Sequence, residues 1–333
     1  MSAHTSCDAS GDAFSCALPD IAADKVDTYM QPPRPLSDAE CSSFRDRVMQ
    51  EGLLRYRDLP WRGLDDPYAV LISEVMLQQT QVSRVLGRWE SWLDVFPTID
   101  ALAAASFADV LERWQGMGYN RRAMALKRCA DEISMKWNGV VPQGYDELLA
   151  LPGIGPATAA GVCVFAYQQP QIYLETNVRT VFLHEFFAEC DGVTDRELIP
   201  YVAQTCPTHD PRAWYYALLD YGAYLKKAFL NPSRRSVKHR AQSAFEGSIR
   251  QKRAELLRLL LANPGATTEE LSEQLALFEQ RAGRRAPDVE EVARVLSALE
   301  REGFVRTDGG TGEGLRCDTS EGTRDGTTAW RIS

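Results

Sequence analysis

The chain of 333 residues lacks any run of about 18 apolar residues, the length a helix needs to span a bilayer, so no membrane segment is expected. It lacks an N-terminal basic stretch followed by an apolar core, so no secretion signal is expected either. Its eight cysteines, at 7, 16, 41, 129, 163, 190, 206 and 317, include no C-x-x-C pair. Scattered thiols of this kind fit a reducing, cytoplasmic setting, with the cysteines as ordinary core residues. Between Cys206 and Cys317 there is no cysteine at all. Strand-like alternation is nearly absent before residue 304, which argues against a β-architecture for most of the chain.

What is present is helical. Apolar residues recur at i, i+3 and i+4 near 38–53, 67–79, 81–96, 107–113, 119–137, 144–150, 156–168, 176–188, 195–204 and 211–227. This predicts an all-α core over 38–228, preceded by a mostly disordered tail over 1–37 that ends in a proline cluster and a capping Ser37. Residues 229–250 read as an irregular basic connector. Residues 251–333 hold three helical patterns, the second opened by the capping signal Thr267-Thr268-Glu269-Glu270. Two short strand signals follow, joined by a Gly-rich loop, so a small winged-helix-like α+β domain is expected.

The net charge of −9 is unevenly spread. Residues 226–253 carry nine basic residues against one acid, Glu246. That is either a phosphate-binding footprint or a solvated basic face. Arg234, Arg235 and Lys238 are its candidate DNA contacts. The last 80 residues are net negative, so their domain serves either DNA or a protein-contact role.

The densest chemical signal is Leu151-Pro152-Gly153-Ile154-Gly155-Pro156-Ala157-Thr158-Ala159-Ala160, set between two helical patterns. Two glycines one residue apart let the backbone turn sharply and approach a partner. The unpaired N–H groups at the following helix start suit a phosphate. The segment reads as a helix–hairpin–helix that grips nucleic-acid backbone without reading sequence; a plain Pro/Gly helix–helix turn is the alternative. Upstream stand Leu59-Pro60-Trp61-Arg62, Asp66-Pro67-Tyr68 and Ser73-Glu74-Val75-Met76-Leu77-Gln78-Gln79-Thr80-Gln81-Val82. Between these and the hairpin lies Trp114-Gln115-Gly116-Met117-Gly118-Tyr119-Asn120-Arg121-Arg122-Ala123, and downstream Tyr173-Leu174-Glu175-Thr176-Asn177-Val178-Arg179. In this order and spacing the set resembles the helix–hairpin–helix DNA glycosylase superfamily, most closely its MutY family of mismatch adenine glycosylases. The resemblance covers roughly residues 40 to 230.

Glu74 is flanked by Ile72 and Val75, and a carboxylate in a dry cleft has a raised pKa and holds a proton near neutral pH. The resemblance implies that Glu74 protonates the departing purine at N7; the plain alternative is a surface glutamate. Glu175 stands where the family has Asp. It is either a shifted catalytic carboxylate that stabilises the sugar cation, a mark of altered substrate choice, or a glutamate without catalytic consequence. Gln78, Gln79 and Thr80 are read as following Glu74 on the same helix. In the family this turn probes the strand opposite the lesion, and amides that both donate and accept suit that task. Tyr119 resembles the family residue that wedges into the base stack, with a core tyrosine as the alternative. Gly153, Gly155 and Thr158 complete the expected DNA contacts.

Two departures qualify the resemblance. Bifunctional relatives carry a nucleophilic lysine where this chain has Ala157, so a monofunctional enzyme without an efficient lyase step is expected. Most relatives bind a [4Fe–4S] cluster through four cysteines after the core; here those cysteines are absent, so no cofactor and no metal are expected. The C-terminal region does not resemble the 8-oxoguanine-reading domain of full-length relatives. The expected activity is removal of a flipped base from double-stranded DNA with a mismatch or lesion, by a monomer. Adenine opposite guanine or 8-oxoguanine is the first candidate. Thymine or uracil mismatches, other damaged bases, and a non-catalytic DNA-binding regulator are the alternatives.

Overall fold

The computed structural model describes residues 34–229, 231–238, 244–308 and 329–333. The expected N-terminal tail up to residue 33 and the Gly-rich loop of the C-terminal domain lie outside the described residues.

Local signals set the helix starts. Helix α1 (Asp38–Leu54) begins with a capping box in which the Ser37 hydroxyl accepts from the Glu40 N–H and the Glu40 carboxylate accepts from the Ser37 N–H. Helix α2 (Pro67–Leu77) starts behind the Asp66 cap with Pro67 in its first position. Eight of its residues are buried, so it runs through the middle of the core rather than along its surface. The pattern expected as one helix over 81–96 is broken into α3 (Val82–Val85) and α4 (Arg88–Val95), because Gly87 adopts φ 77° and ends the first segment. A short α5 (Ile99–Ala104) was not anticipated. It buries only Ile99 and Leu102, too few positions for a period to register.

Helices α6 (Phe107–Trp114), α7 (Arg121–Trp137), α8 (Tyr145–Leu149), α9 (Pro156–Phe165), α10 (Thr176–Phe186), α11 (Asp195–Thr205) and α12 (Pro211–Ala228) complete the first part. One apolar core joins them, with Trp92, Trp114, Trp214 and Phe182 fully buried. Such side chains each remove 150–250 Å² from water and dominate the stabilisation. The connector is less irregular than expected: Pro232–Arg235 form a 3-10 turn, and Val193 donates to the Arg235 carbonyl while Val237 donates to the Val193 carbonyl.

The C-terminal part has helices α13 (Ile249–Ala262), α14 (Thr268–Arg281) and α15 (Val289–Arg301), then strands β1 (Val305–Thr307) and β2 (Trp330–Ile332) in an antiparallel pair, Val305 opposite Ile332. Its core of Leu256, Leu260, Leu271, Leu296, Phe304 and Trp330 also takes in Leu111 of α6 and Met124 of α7. Phe107 packs on Phe304 with ring centroids 5.9 Å apart, and Glu302 accepts from both Arg121 (3.1 Å) and Arg253 (2.7 Å). The three-helix unit therefore sits on α6 and α7 rather than hanging from the connector. Among the described residues no helix is long and apolar enough to cross a membrane.

Candidate active site

A cleft of about 910 Å³ opens between the end of α2, the start of α9, the entry to α10 and one face of α12. Glu74, Gln78, Gln79, Thr80, Thr158 and Glu175 all line it. The sequence-predicted carboxylates thus meet in one cavity although about a hundred positions separate them.

Glu74 lies in the second half of α2. Its carboxylate rests against α9 at Gly161. A Cβ placed on Gly161 would fall on Oε2 of Glu74 and lie 2.8 Å from its Cδ. Glycine costs helix stability, so its presence inside α9 reflects this approach. Burial raises the Glu74 pKa to about 8, with the charge of Glu175 adding to the rise and a hydrogen bond from Tyr173 opposing it. The side chain therefore holds its proton near neutral pH.

Glu175 is the N-cap of α10, where its Oε1 accepts from the backbone N–H of Asn177 and of Val178 (2.9 Å). Burial raises its pKa too, while the Val178 and Asn177 N–H groups and the charges of Lys226 and Arg179 favour its ionised form. The two carboxyls have different surroundings. Glu74 has one hydroxyl partner. Glu175 has two backbone donors, a helix N-terminus and a nearby ammonium, all of which favour an anion.

Tyr173 lies between them. It is buried, touches the Gly161 position through its ring, stacks edge-on against Phe165 and Tyr215, and hydrogen-bonds to Glu74. Sequence reasoning gave no site role to Tyr173 or Gly161 and counted Lys226 only within the basic stretch 226–253. Their roles arise from packing between α2, α9 and α12, and only the apolar setting of Gly161 within the hairpin helix carried any hint.

The hairpin follows its sequence pattern. Gly153 adopts φ 75°, and a Cβ there would lie 2.5 Å from the Ala125 Cβ. Gly155 caps α9 ahead of Pro156 and faces open space, leaving room for a backbone partner. Ala157 lines the cleft and brings no nucleophile into it. Thr158 is buried, and its hydroxyl accepts from the Gln78 amide at 2.9 Å, so these two side chains meet each other at the cleft wall.

The glutamine turn departs from the expected helix. Helix α2 ends at Leu77, and Gln78, Gln79 and Thr80 leave it because Gln79 takes a left-handed conformation, φ 52°. Gln79 is exposed, as is Tyr119, which likewise has φ 50°. In the basic stretch, Arg234 is exposed and Arg235 half-buried. Lys238 pairs with Asp195, which also binds Arg179, so its charge fastens the connector to the core. The four-thiolate set of an iron–sulfur cluster is lacking after the core, since no cysteine lies between Cys206 and Cys317. Among the described residues no three His, Cys, Asp or Glu side chains are placed to hold a metal ion.

Comparison with known proteins agrees with this geometry. Residues 72–198 match the HhH-GPD superfamily of base excision DNA repair proteins. The chain is 42% identical over 170 residues to an adenine DNA glycosylase of Mycolicibacterium smegmatis, covering 50% of this chain and 58% of that one. It is 42% identical over 162 residues to an adenine DNA glycosylase of Mycobacterium tuberculosis, covering 48% and 51%. It is 35% identical over 152 residues to the human adenine DNA glycosylase, covering 43% and 28%. The chain thus spans about half the length of the bacterial relatives it matches. Among solved structures, a thermostable thymine-DNA glycosylase superposes with a TM-score of 0.50 at 22% identity, covering 55% of this chain and 86% of that one, a likeness of fold. Residues 72–198 therefore match the HhH-GPD superfamily of base excision DNA repair proteins, in a chain that is similar over about half its length to adenine DNA glycosylases.

Proposed function

We propose that this chain is a monofunctional DNA glycosylase that removes a mismatched adenine from double-stranded DNA, opposite guanine or 8-oxoguanine. The observation that carries the reading is the pair Glu74 and Glu175, facing one cleft with unlike partners: a single hydroxyl at Glu74, and two backbone N–H groups and the Lys226 charge at Glu175.

Unlike partners of this kind suit Glu74 to the acid role and Glu175 to the anion role, while burial raises both pKa values. Protonated Glu74 gives its proton to N7 of the extruded adenine, which makes the base a neutral leaving group. As the bond from C1′ to N9 breaks, positive charge builds on the sugar. Ionised Glu175, held by its helix cap, stabilises that charge. Water adds to C1′, its proton returns to the carboxylates, and an abasic site remains. Gly155 and the start of α9 hold a neighbouring phosphate, and the protein acts on DNA as a monomer. No metal and no cofactor enter the chemistry.

The test is a duplex series with A:G, A:8-oxoguanine, T:G and U:G pairs, treated with hot alkali after incubation. Breaks at adenine support the reading. Breaks only at thymine or uracil would transfer the same chemistry to another base. Tight binding without breaks in any duplex would sink it in favour of a regulator.

A further inference from the structure

Gln79 and Tyr119, forty positions apart, share an uncommon state. Both are non-glycine residues with left-handed backbone, φ 52° and 50°, both are exposed, and Gln79 lines the cleft. Such conformations persist only where surrounding contacts impose them, and they gather at functional sites.

One guanidinium contacts both turns. Arg122, in the first turn of α7, sends Nη1 to the carbonyls of Val75 (3.0 Å), Met76 (2.9 Å) and Gln78 (2.6 Å). Its Nη2 donates to the Thr80 hydroxyl (2.9 Å) and to the carbonyls of Met117 and Gly118 (both 3.2 Å). The bonded groups bracket Gln79 on both sides and lead directly into Tyr119. At the end of α2 the Val75 carbonyl also accepts from the Gln78 N–H (3.3 Å), and the guanidinium adds a partner for the Met76 carbonyl in the last turn. The guanidinium also lies 5.2 Å from the Trp114 ring centroid and 5.5 Å from that of Tyr119. Among the described residues it forms no ion pair. Its charge meets carbonyl dipoles and ring faces, and burial lowers its pKa to about 10. A lysine ammonium, with three donors on one atom, does not reach six acceptors spread along two segments.

We propose that Arg122 is a positioning residue that locks Gln79 and Tyr119 into one preformed pair, which enters the duplex as the target base leaves it. The inference rests on the glycosylase reading and adds a device to it: the two turns act as a single unit because one side chain holds both. Preorganisation of this kind lowers the cost of opening the stack at the moment of extrusion.

The test uses the full chain and a duplex with 2-aminopurine beside the mismatched adenine, whose fluorescence rises on unstacking whether or not the base is released. Arg122→Lys should slow both the rise and base release about 10-fold or more on this paired duplex. Release from a strand whose adenine faces a gap, and so is already unstacked, should change less than about 3-fold. In a Gln79→Ala/Tyr119→Ala background the same exchange should add less than about 2-fold, since coupled residues are non-additive. Equal slowing on paired and gapped substrates, or an undiminished effect in the double-alanine background, would overturn the proposal. If Arg122→Lys does not fold, Gln79→Ala and Tyr119→Ala decide. Both residues are exposed, and each must lose activity on paired DNA, spare the gapped substrate, and combine without multiplying. Unstacking without base release would defeat the glycosylase reading alone. Base release with Arg122→Lys unstacking DNA at the wild-type rate would defeat only the role given to Arg122.

Discussion

Gly161 and Glu74 are packed so closely that a single methyl group on the first would occupy the place of a carboxylate oxygen of the second. The floor of the cleft is therefore set by a residue with no side chain.

Gly161→Ala is expected to push the flexible Glu74 side chain aside instead of unfolding the helix. Single-turnover base release should fall about 100-fold, as for a reacting group displaced by about 1 Å. The thermal midpoint should drop by less than about 4 °C, because alanine is the better helix former and the collision is with a side-chain end. Full activity in this variant would show that Glu74 need not stand where it does.

The pH dependence has a definite sign. With Glu74 as the proposed acid and Glu175 as the proposed anion, base release should decline tenfold per unit above a pH of about 8 and fall again at low pH as Glu175 takes up a proton. Stability carries the same proton. The folded state holds it up to a pH of about 8 and the unfolded chain releases it near 4.5, so stability should decrease as pH rises between those values. Urea midpoints at several pH values, for wild type and Glu74→Gln, would check this: the variant should lose that component of the slope, lose excision and keep duplex binding.

Tyr173→Phe removes the hydroxyl that stabilises the ionised form of Glu74 but keeps the ring against Phe165 and Tyr215. The alkaline limb of the rate profile should therefore move to higher pH, with little change in rate below it. A limb that moved down, or stayed, would show that the hydroxyl does not serve Glu74.

Phe304→Ala opens a cavity where the C-terminal unit meets Phe107. A buried aromatic truncated to alanine costs about 3–5 kcal/mol. Chemical denaturation should show that loss in the transition of the core as well, because Leu111 and Met124 share the same apolar cluster. A core transition unmoved by the substitution would contradict the shared seat.

Much of this was legible from local chemistry. Ser37 with Glu40, Asp66 with Pro67, and Thr267 with Glu270 each announce a helix start, because a cap and its partner are three residues apart or fewer. Glu74 stood out by its apolar neighbours and its motif, and Gly153 and Gly155 by their spacing. What stayed hidden was non-local. The capping use of the Glu175 carboxylate is the local exception: it accepts from N–H groups two and three residues on, but glutamate is not among the favoured caps, so no local signal marks it. The Tyr173 contact with Glu74, the pairing of Lys238 with Asp195, and the early end of α2 at Leu77 all depend on chain segments far away in sequence. Arg122 lay in plain view beside Tyr119, yet its six acceptors come from two turns that only the folded chain unites.

Leu111 and Met124 give the C-terminal helices a hold on the lobe that carries Tyr119 and Arg122. A chain cut before residue 249 would leave two greasy sockets open on α6 and α7, and with Glu302 gone Arg121 would lose its partner just ahead of Arg122. That tail is no detachable cassette: shortening the protein from this end would loosen the very rim that we propose parts the two strands.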